Sequence, residues 1–480
     1  MPDSDIERLR DGIDHAWEEA RNFGLDPFPT HFELVPASIM YEFASYSLPG
    51  RFSHWTHGKA YHRQKMQYDF GLSKIYEMVI NTNPSYAFLM DMNDLLQNTF
   101  VAAHVFGHTD FFKNNAYFQH TSRRMIDKVS FHAERIAKYE FDHGKAEVER
   151  FLDAVLSIQE HVDYNLLIRQ NEPEKDKKEE KPNIVPGPYD DLWGLDTRAK
   201  KAEEARERRL GKPPKFPEQP EKDLLLFLMQ HAPHLQPWQR DIIEIVRTEM
   251  LYFIPQMQTK TMNEGWASIW HSRIMREMGD KGYISDSDIL EFATLHSGVL
   301  SPSRMYLNPY YVGYKVFEDI ERRWDNPTKE EQERLGRKPG QGRQKIFEVR
   351  ELDNDVSFLR NYLTEDLIKD LDLYLYRKEG DEWVIVEKNW EKVRDGIVAS
   401  MTNFGSPYLV VENGDYRGNR ELYIMHLFEG QELDMTYAEK TLQHVYTLWG
   451  RPVHLETVYE GKKILLSYDG ERNTKSSLEK

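Results

Sequence analysis

Phe100-Val101-Ala102-Ala103-His104-Val105-Phe106-Gly107-His108-Thr109-Asp110-Phe111-Phe112 sets two imidazoles four residues apart inside an apolar run. On a helix they share one face. Val101, His104, His108 and Phe111/Phe112 fall at the spacing of a buried stripe, so both rings are expected to point inward. A second stretch answers it, Met262-Asn263-Glu264-Gly265-Trp266-Ala267-Ser268-Ile269-Trp270-His271, where Glu264 and His271 are two turns apart and also face one way. Two histidines and a carboxylate from separate inward-facing helices form the ligand set of a catalytic zinc centre with one open position. Taken alone, His-x-x-x-His also fits two satisfied core histidines; Glu264 and His271 favour metal. Zinc suits imidazole plus carboxylate, with iron or manganese left open.

The rest of the 480-residue chain bounds this reading. Its length suggests two or three domains with ample surface to bury a full core. A formal net charge of -17 argues against nonspecific nucleic-acid or anionic-membrane binding, which needs a basic face. There is no cysteine, which removes disulfides, thiolate nucleophiles and Cys-type zinc fingers and favours a reducing compartment. The acidic start Met1-Pro2-Asp3-Ser4-Asp5-Ile6-Glu7 has no apolar signal region, and no window approaches a membrane span. A soluble cytoplasmic protein is expected. The sequence is silent on oligomeric state.

Outward from the two stretches, Ser4-Asp5-Ile6-Glu7 is a capping-box pattern opening an amphipathic helix through Leu9, Ile13 and Trp17 to near Gly24. His54 and His57, in His54-Trp55-Thr56-His57-Gly58-Lys59, have loop-like spacing and are candidates for metal or substrate contact, or for structural hydrogen bonding. Residues 72–98 mix a helical start with the turn signal Asn83-Pro84. A long helical tract is expected from beyond Asn114-Asn115 to about Arg169, carrying Glu134 either beside the site or on a solvated face. Gln170 to Lys222 is a charged, proline-bounded insertion that cannot bury enough apolar area to offset its ordering entropy. Limited proteolysis is expected to cut there first.

Order returns at Asp223. His231 and His234 flank a turn before Pro237 opens the next helix, in which Glu249 sits on an apolar stripe with Ile242, Ile245 and Phe253. A carboxylate there must be paired, ligated or protonated. After the connector, strands and helices alternate: Leu371–Tyr376, Trp383–Val386, helix Trp390–Met401, Tyr408–Val411, Glu421–Leu427, helix Tyr437–Trp449, Val453–Val458 and Lys463–Ser467. No clustered titratable constellation is evident there, so partner binding is expected rather than chemistry. The fold class is α+β: a mainly helical domain over 1–169 and 223–330, the insertion 170–222, a connector 331–350, and a small α+β module of repeated strand pairs and helices over 351–480.

The runs His54-Trp55-Thr56-His57-Gly58-Lys59, Asn98-Thr99-Phe100-Val101-Ala102-Ala103-His104-Val105-Phe106-Gly107-His108, His231-Ala232-Pro233-His234-Leu235-Gln236-Pro237-Trp238-Gln239 and Asn263-Glu264-Gly265-Trp266-Ala267 resemble the stage V sporulation protein R family. That resemblance implies a cytoplasmic bacterial protein connected with spore cortex formation, with relatives in bacteria that make no spores. It supplies no established reaction. A more distant similarity is to zinc peptidases with His-Glu-x-x-His and a downstream glutamate ligand, implying a zincin-like domain with His104, His108 and Glu264 on the metal. Val105 stands where those enzymes carry their general base, whose loss is worth about 10²–10⁴-fold.

Two functions follow. One is a metal-dependent hydrolase of an amide in a peptide or cell-wall precursor, with Glu249 as candidate base and His271, His54, His57, His231, His234 or Glu134 as polarising or supporting groups. The other is a regulatory or scaffold protein with structural histidines and a partner-binding carboxy-terminal module.

Overall fold

The computed structural model describes residues 3–69, 77–166, 216–302, 307–379 and 382–478. Most of the expected insertion at 170–222 therefore lies outside the described residues. In chain order the helices are α1 (Asp3–Asn22), α2 (Ala37–Tyr46), α3 (Trp55–Asp69), α4 (Leu95–Asn114), α5 (Met125–His143), α6 (Lys145–Leu156), α7 (Leu224–His231) and α8 (Pro237–Gln258). They continue with α9 (Lys260–Asp280), α10 (Asp286–Val299), α11 (Pro309–Asp325), α12 (Lys329–Leu335), α13 (Gly342–Leu352), α14 (Asp355–Tyr362), α15 (Glu365–Asp370), α16 (Trp390–Met401) and α17 (Met435–Trp449). Packing divides the chain into two units, residues 1–142 with 251–406 and residues 143–250 with 407–480.

The first unit is organised around α4. Asp94 caps it by accepting the Gln97 N–H at 2.7 Å, and every residue from Asn98 to Phe112 is buried. The sequence suggests an inward stripe, but a helix this apolar on all sides belongs in the middle of a core, where it is covered by α1, α9, α10 and α13. Beside it runs a three-stranded sheet of β1 (Thr30–Val35), β2 (Glu77–Ile80) and β3 (Ser85–Met90) in the order β1-β3-β2. β1 is parallel to β3 and β2 antiparallel to it, with Glu77 opposite Leu89. The expected helical start in this stretch is thus corrected from Glu77 onward: the strand ends on the β-branched pair Val79-Ile80 and pairs with β3. His54 and His57 are corrected too, since His57 lies in the first turn of α3 and His54 just before it.

Small residues set the helix spacing. A Cβ on Gly107 would fall 2.6 Å from the Ala267 Cα, and one on Gly265 would fall 2.3 Å from the Gly313 carbonyl carbon. α4, α9 and α11 therefore approach at backbone contact, closer than side chains would allow. Asp355 fixes the start of α9, accepting the Thr261 and Met262 N–H groups at 2.8 Å each.

The expected connector is mostly helical. α13, α14 and α15 bury Ile346, Val349, Phe358, Leu359 and Ile368 in the same core as α4, so this packing carries the first unit on to Ser406. β4 (Leu375–Glu379) and β5 (Glu382–Glu387) form a two-stranded sheet of their own there. The expected repeat of strand pairs consequently does not form one sheet. The long tract expected after Asn115 is two helices parted at Gly144, whose φ of +90° suits glycine.

In the second unit a five-stranded sheet has the order β10-β9-β8-β7-β6, from β6 (Leu409–Tyr416), β7 (Glu421–His426), β8 (Val453–Tyr459), β9 (Lys462–Tyr468) and β10 (Asn473–Ser477). β7 and β8 are parallel, joined through α17. One face buries Leu422, Ile424, Val453, Leu455 and Leu466. The register puts Tyr423, His454 and Ser467 side by side on the other. His454 lies 2.9 Å from Glu421 and 2.7 Å from Ser467, which corrects the expectation that this module lacks a titratable cluster. Cross-strand neighbours distant in sequence create it.

Candidate metal centre

Three elements of the first unit bring their polar groups to one point. α4 offers His104 and His108, β2 offers Glu77, and α9 offers Glu264. His108 Nε2 lies 3.4 Å from Glu264 Oε2, His104 Nε2 lies 3.6 Å from the same oxygen, and His104 Nε2 lies 3.8 Å from Glu77 Oε1. Glu77, His104 and His108 offer ligand atoms all within 4.8 Å of one another. Both imidazoles are buried, while the Glu77 and Glu264 side chains each keep 18% of their exposure.

The partners behind the rings decide which nitrogen faces inward. His108 Nδ1 is 2.9 Å from Asn263 Oδ1, so a proton on Nδ1 donates to the amide oxygen and leaves the Nε2 lone pair toward Glu264. His104 Nδ1 is 2.8 Å from His271 Nδ1, and His271 Nε2 is 2.8 Å from His296 Nδ1 on α10. With His104 and then His271 donating in turn, the His104 Nε2 lone pair is likewise left inward. Asp110, two residues past His108, accepts from Trp266 Nε1 at 2.8 Å and from the Asp26 N–H at 2.8 Å. It ties α4 to α9 beside the site.

Electrostatics separates the two carboxylates. Burial pushes the Glu264 carboxyl up, but the two imidazoles beside it more than reverse this and hold it well below the usual range. Burial raises Glu77, only partly opposed by His104 and His108. Burial lowers the His108 imidazolium, yet Glu264 outweighs it and leaves the net shift upward. His271 is driven well below its ordinary value by burial and the neighbouring imidazoles, and His296 is lowered to about 4, mainly by burial. Tyr310, in the first turn of α11, is raised by the Glu264 charge and by burial, so its phenol stays protonated.

The donor set fits a divalent cation. Among the described residues, His104 Nε2 and Glu264 Oε2 are buried with no hydrogen-bond partner, an arrangement that costs free energy unless something fills the gap. The observed 3.4–3.8 Å separations are close to the roughly 3.3–3.4 Å edge of a tetrahedron with ~2.0–2.1 Å metal bonds. Imidazole with carboxylate accommodates zinc, iron and manganese alike.

The sequence model described as "SpoVR like protein" matches residues 3–406, and the one described as "SpoVR-like C-terminal domain" matches residues 407–460. The chain belongs to the SpoVR-like family. Among curated proteins, it is similar to "Uncharacterized protein YcgB" of Escherichia coli (strain K12), at 29% identity over 96% of each chain. No solved structure matches it. The junction between the two SpoVR-like matches falls where the first structural unit ends.

Of the residues expected at the site of this SpoVR-like chain, His104, His108 and Glu264 come together, with His271 directly behind His104. His54 and His57 are buried at the start of α3, their rings 6.2 Å apart, with His57 stacked on Tyr46. Glu134 is exposed on α5. Glu249, His231 and His234 lie in the second unit: Glu249 is buried in α8, His231 packs on Phe216 and Phe227, and His234 is exposed near the Thr447 carbonyl. Sequence reasoning missed Glu77, Asn263, His296 and Tyr310 as site residues. Asn263 adjoins Glu264, while Glu77, although near the histidine pair in sequence, lies in a segment that a turn explains and in a strand of four residues with no periodic signal.

Proposed function

We propose that this SpoVR-like protein is a metal-dependent hydrolase of an amide bond, with His104, His108 and Glu264 as ligands and Glu77 as proton acceptor. The observation that carries this is the buried pair His104 Nε2 and Glu264 Oε2, without a hydrogen-bond partner among the described residues, facing His108 and Glu77. A divalent cation there would polarise a carbonyl and make water acidic enough to attack near neutral pH. Glu264, held ionised, suits a ligand, whereas Glu77, with its raised pKa, suits a group that takes up a proton. This gives Glu77 the role that spacing assigned to Glu249 and that Val105 cannot fill. Tyr310, kept protonated beside Glu264, is placed to donate to a developing oxyanion. Asn263 and His271 hold the two rings with Nε2 inward.

A downstream glutamate completing a helical histidine pair supports a zincin-like comparison for the first unit, and zinc is the preferred ion. A cytoplasmic location and a sporulation-related role, suggested by the family, complete the proposal; among the described residues, no helix is long and apolar enough to cross a membrane. The scaffold alternative draws support from Phe428 and Tyr437, exposed in the carboxy-terminal region and available to a protein partner. Amine release from a peptide library by zinc-loaded protein tests the choice: Glu77→Gln should abolish turnover while retaining metal. Absence of turnover with any metal-loaded wild type favours the scaffold.

A further inference from the structure

Three imidazoles form a line leading away from the candidate metal. His104 on α4 meets His271 on α9, and His271 meets His296 on α10, each contact joining two ring nitrogens at 2.8 Å. His271 is fully buried and His296 half-buried, so the line runs from the site toward the surface. Burial, helped by neighbouring imidazoles at His271 and by the Arg276 charge at His296, drives His271 well below its ordinary value and lowers His296 to about 4, so both rings are neutral near pH 7. A neutral imidazole carries one N–H and one lone pair. The two contacts therefore admit two arrangements, and each fixes all three rings. In the first, His104 Nδ1 donates to His271 Nδ1 and His271 Nε2 donates to His296 Nδ1, which leaves the His104 Nε2 lone pair in the site. In the second, His296 Nδ1 donates to His271 Nε2 and His271 Nδ1 donates to His104 Nδ1, which puts the His104 proton on Nε2, where it blocks a metal bond. No net charge separates the two.

We infer that His296 is a positioning residue for the metal centre: its Nδ1 lone pair selects the first arrangement, so a side chain of α10, one ring removed from the ligand His104, sets the affinity of the site. The inference deepens the hydrolase proposal and rests on its reading of His104 as a ligand. Phe292, stacked on the His296 ring at 5.6 Å, and Tyr314 of α11, edge-on at 5.7 Å, hold that ring against His271. Without the His296 acceptor, the first arrangement leaves the buried His271 N–H unpaired, a desolvation cost that weighs directly against metal binding. The second then leaves only a lone pair unpaired, the more often tolerated of the two vacancies. The balance moves toward the arrangement in which His104 cannot ligate.

Zinc affinity of the full-length chain, read by competition with a chromogenic chelator, tests this without requiring turnover. His296→Phe keeps a ring of similar shape and should bind zinc about tenfold or more weakly, the scale of losing a group that orients a ligand. His296→Asn should recover most of the affinity, because its amide oxygen can accept where Nδ1 did. His296→Leu takes the place of His296→Phe if the phenyl ring prevents folding, which melts of the metal-free proteins reveal. In the His271→Phe background, where the line is already broken, His296→Phe should cost nothing further, whereas losses that add overturn the inference in favour of an ordinary packing role. Wild-type affinity in folded His296→Phe, or equal losses in His296→Phe and His296→Asn, overturns the role of His296 and leaves the hydrolase proposal standing. Wild type that takes up no divalent metal removes both.

Discussion

His104 Nδ1 stands 2.8 Å from His271 Nδ1, two like atoms of which one must donate and the other accept. The inward lone pair of His104 thus depends on a proton held between two histidines 167 positions apart, with His296 behind them. His271→Phe, which keeps the ring but not the acceptor, should lower metal affinity about 10–100-fold, as loss of a group orienting a ligand does. Competition with a chromogenic chelator measures this, and unchanged affinity in a folded variant would show that the pair does not orient His104.

The backbone contacts of α9 make a second prediction. Gly265→Ala places a methyl group against the Gly313 main chain, which has no rotamer to yield. Overpacking of this kind costs about 1–3 kcal/mol, so thermal unfolding should shift down and metal retention should fall as α9 and α11 separate. Gly298→Ala is the control: in α10, with nothing within 4 Å of the new Cβ, it should be neutral or stabilising by up to about 1 kcal/mol.

pH separates the metal-free protein from the loaded one. His108 is raised, so without metal its contribution to stability is full below about 6.5, its unfolded value, and is lost as pH climbs through the folded pKa. Glu264 is lowered, so its contribution is full above its unfolded value of 4.5 and is lost as pH falls through the folded pKa. Together they stabilise the metal-free chain most between these limits. Metal must displace the His108 proton, so its affinity should keep rising with pH above 6.5. Thermal melts from pH 3 to 8.5 and metal titrations from pH 4.5 to 8.5 check the two limits and the metal slope; parallel slopes for the two forms above pH 6.5 would contradict the assignment of His108 as a ligand.

The histidine pair and Glu264 were legible because helical spacing inside apolar runs converts sequence distance into a shared face. Glu77 was not, because a four-residue strand has too little period to read and its place is set by pairing with β3. The same limit hid the His454 cluster, which exists only through the register of β7, β8 and β9. In the carboxy-terminal region the order of strands and helices was visible, but not which strands pair. β4 and β5 read like their successors, yet they belong to the first unit because α16, which follows them, packs on α14 of that core.

Metal content tests the central claim most directly. Elemental analysis of protein purified without a metal-affinity tag or chelator should find about one equivalent of zinc, iron or manganese in wild type. His104→Ala and Glu264→Ala should carry only background, and wild type alone should lose thermal stability when the metal is stripped and regain it when the metal is restored. Metal-free wild type that gains no stability from any of the three ions would contradict the account and make His104 and His108 ordinary residues of the core.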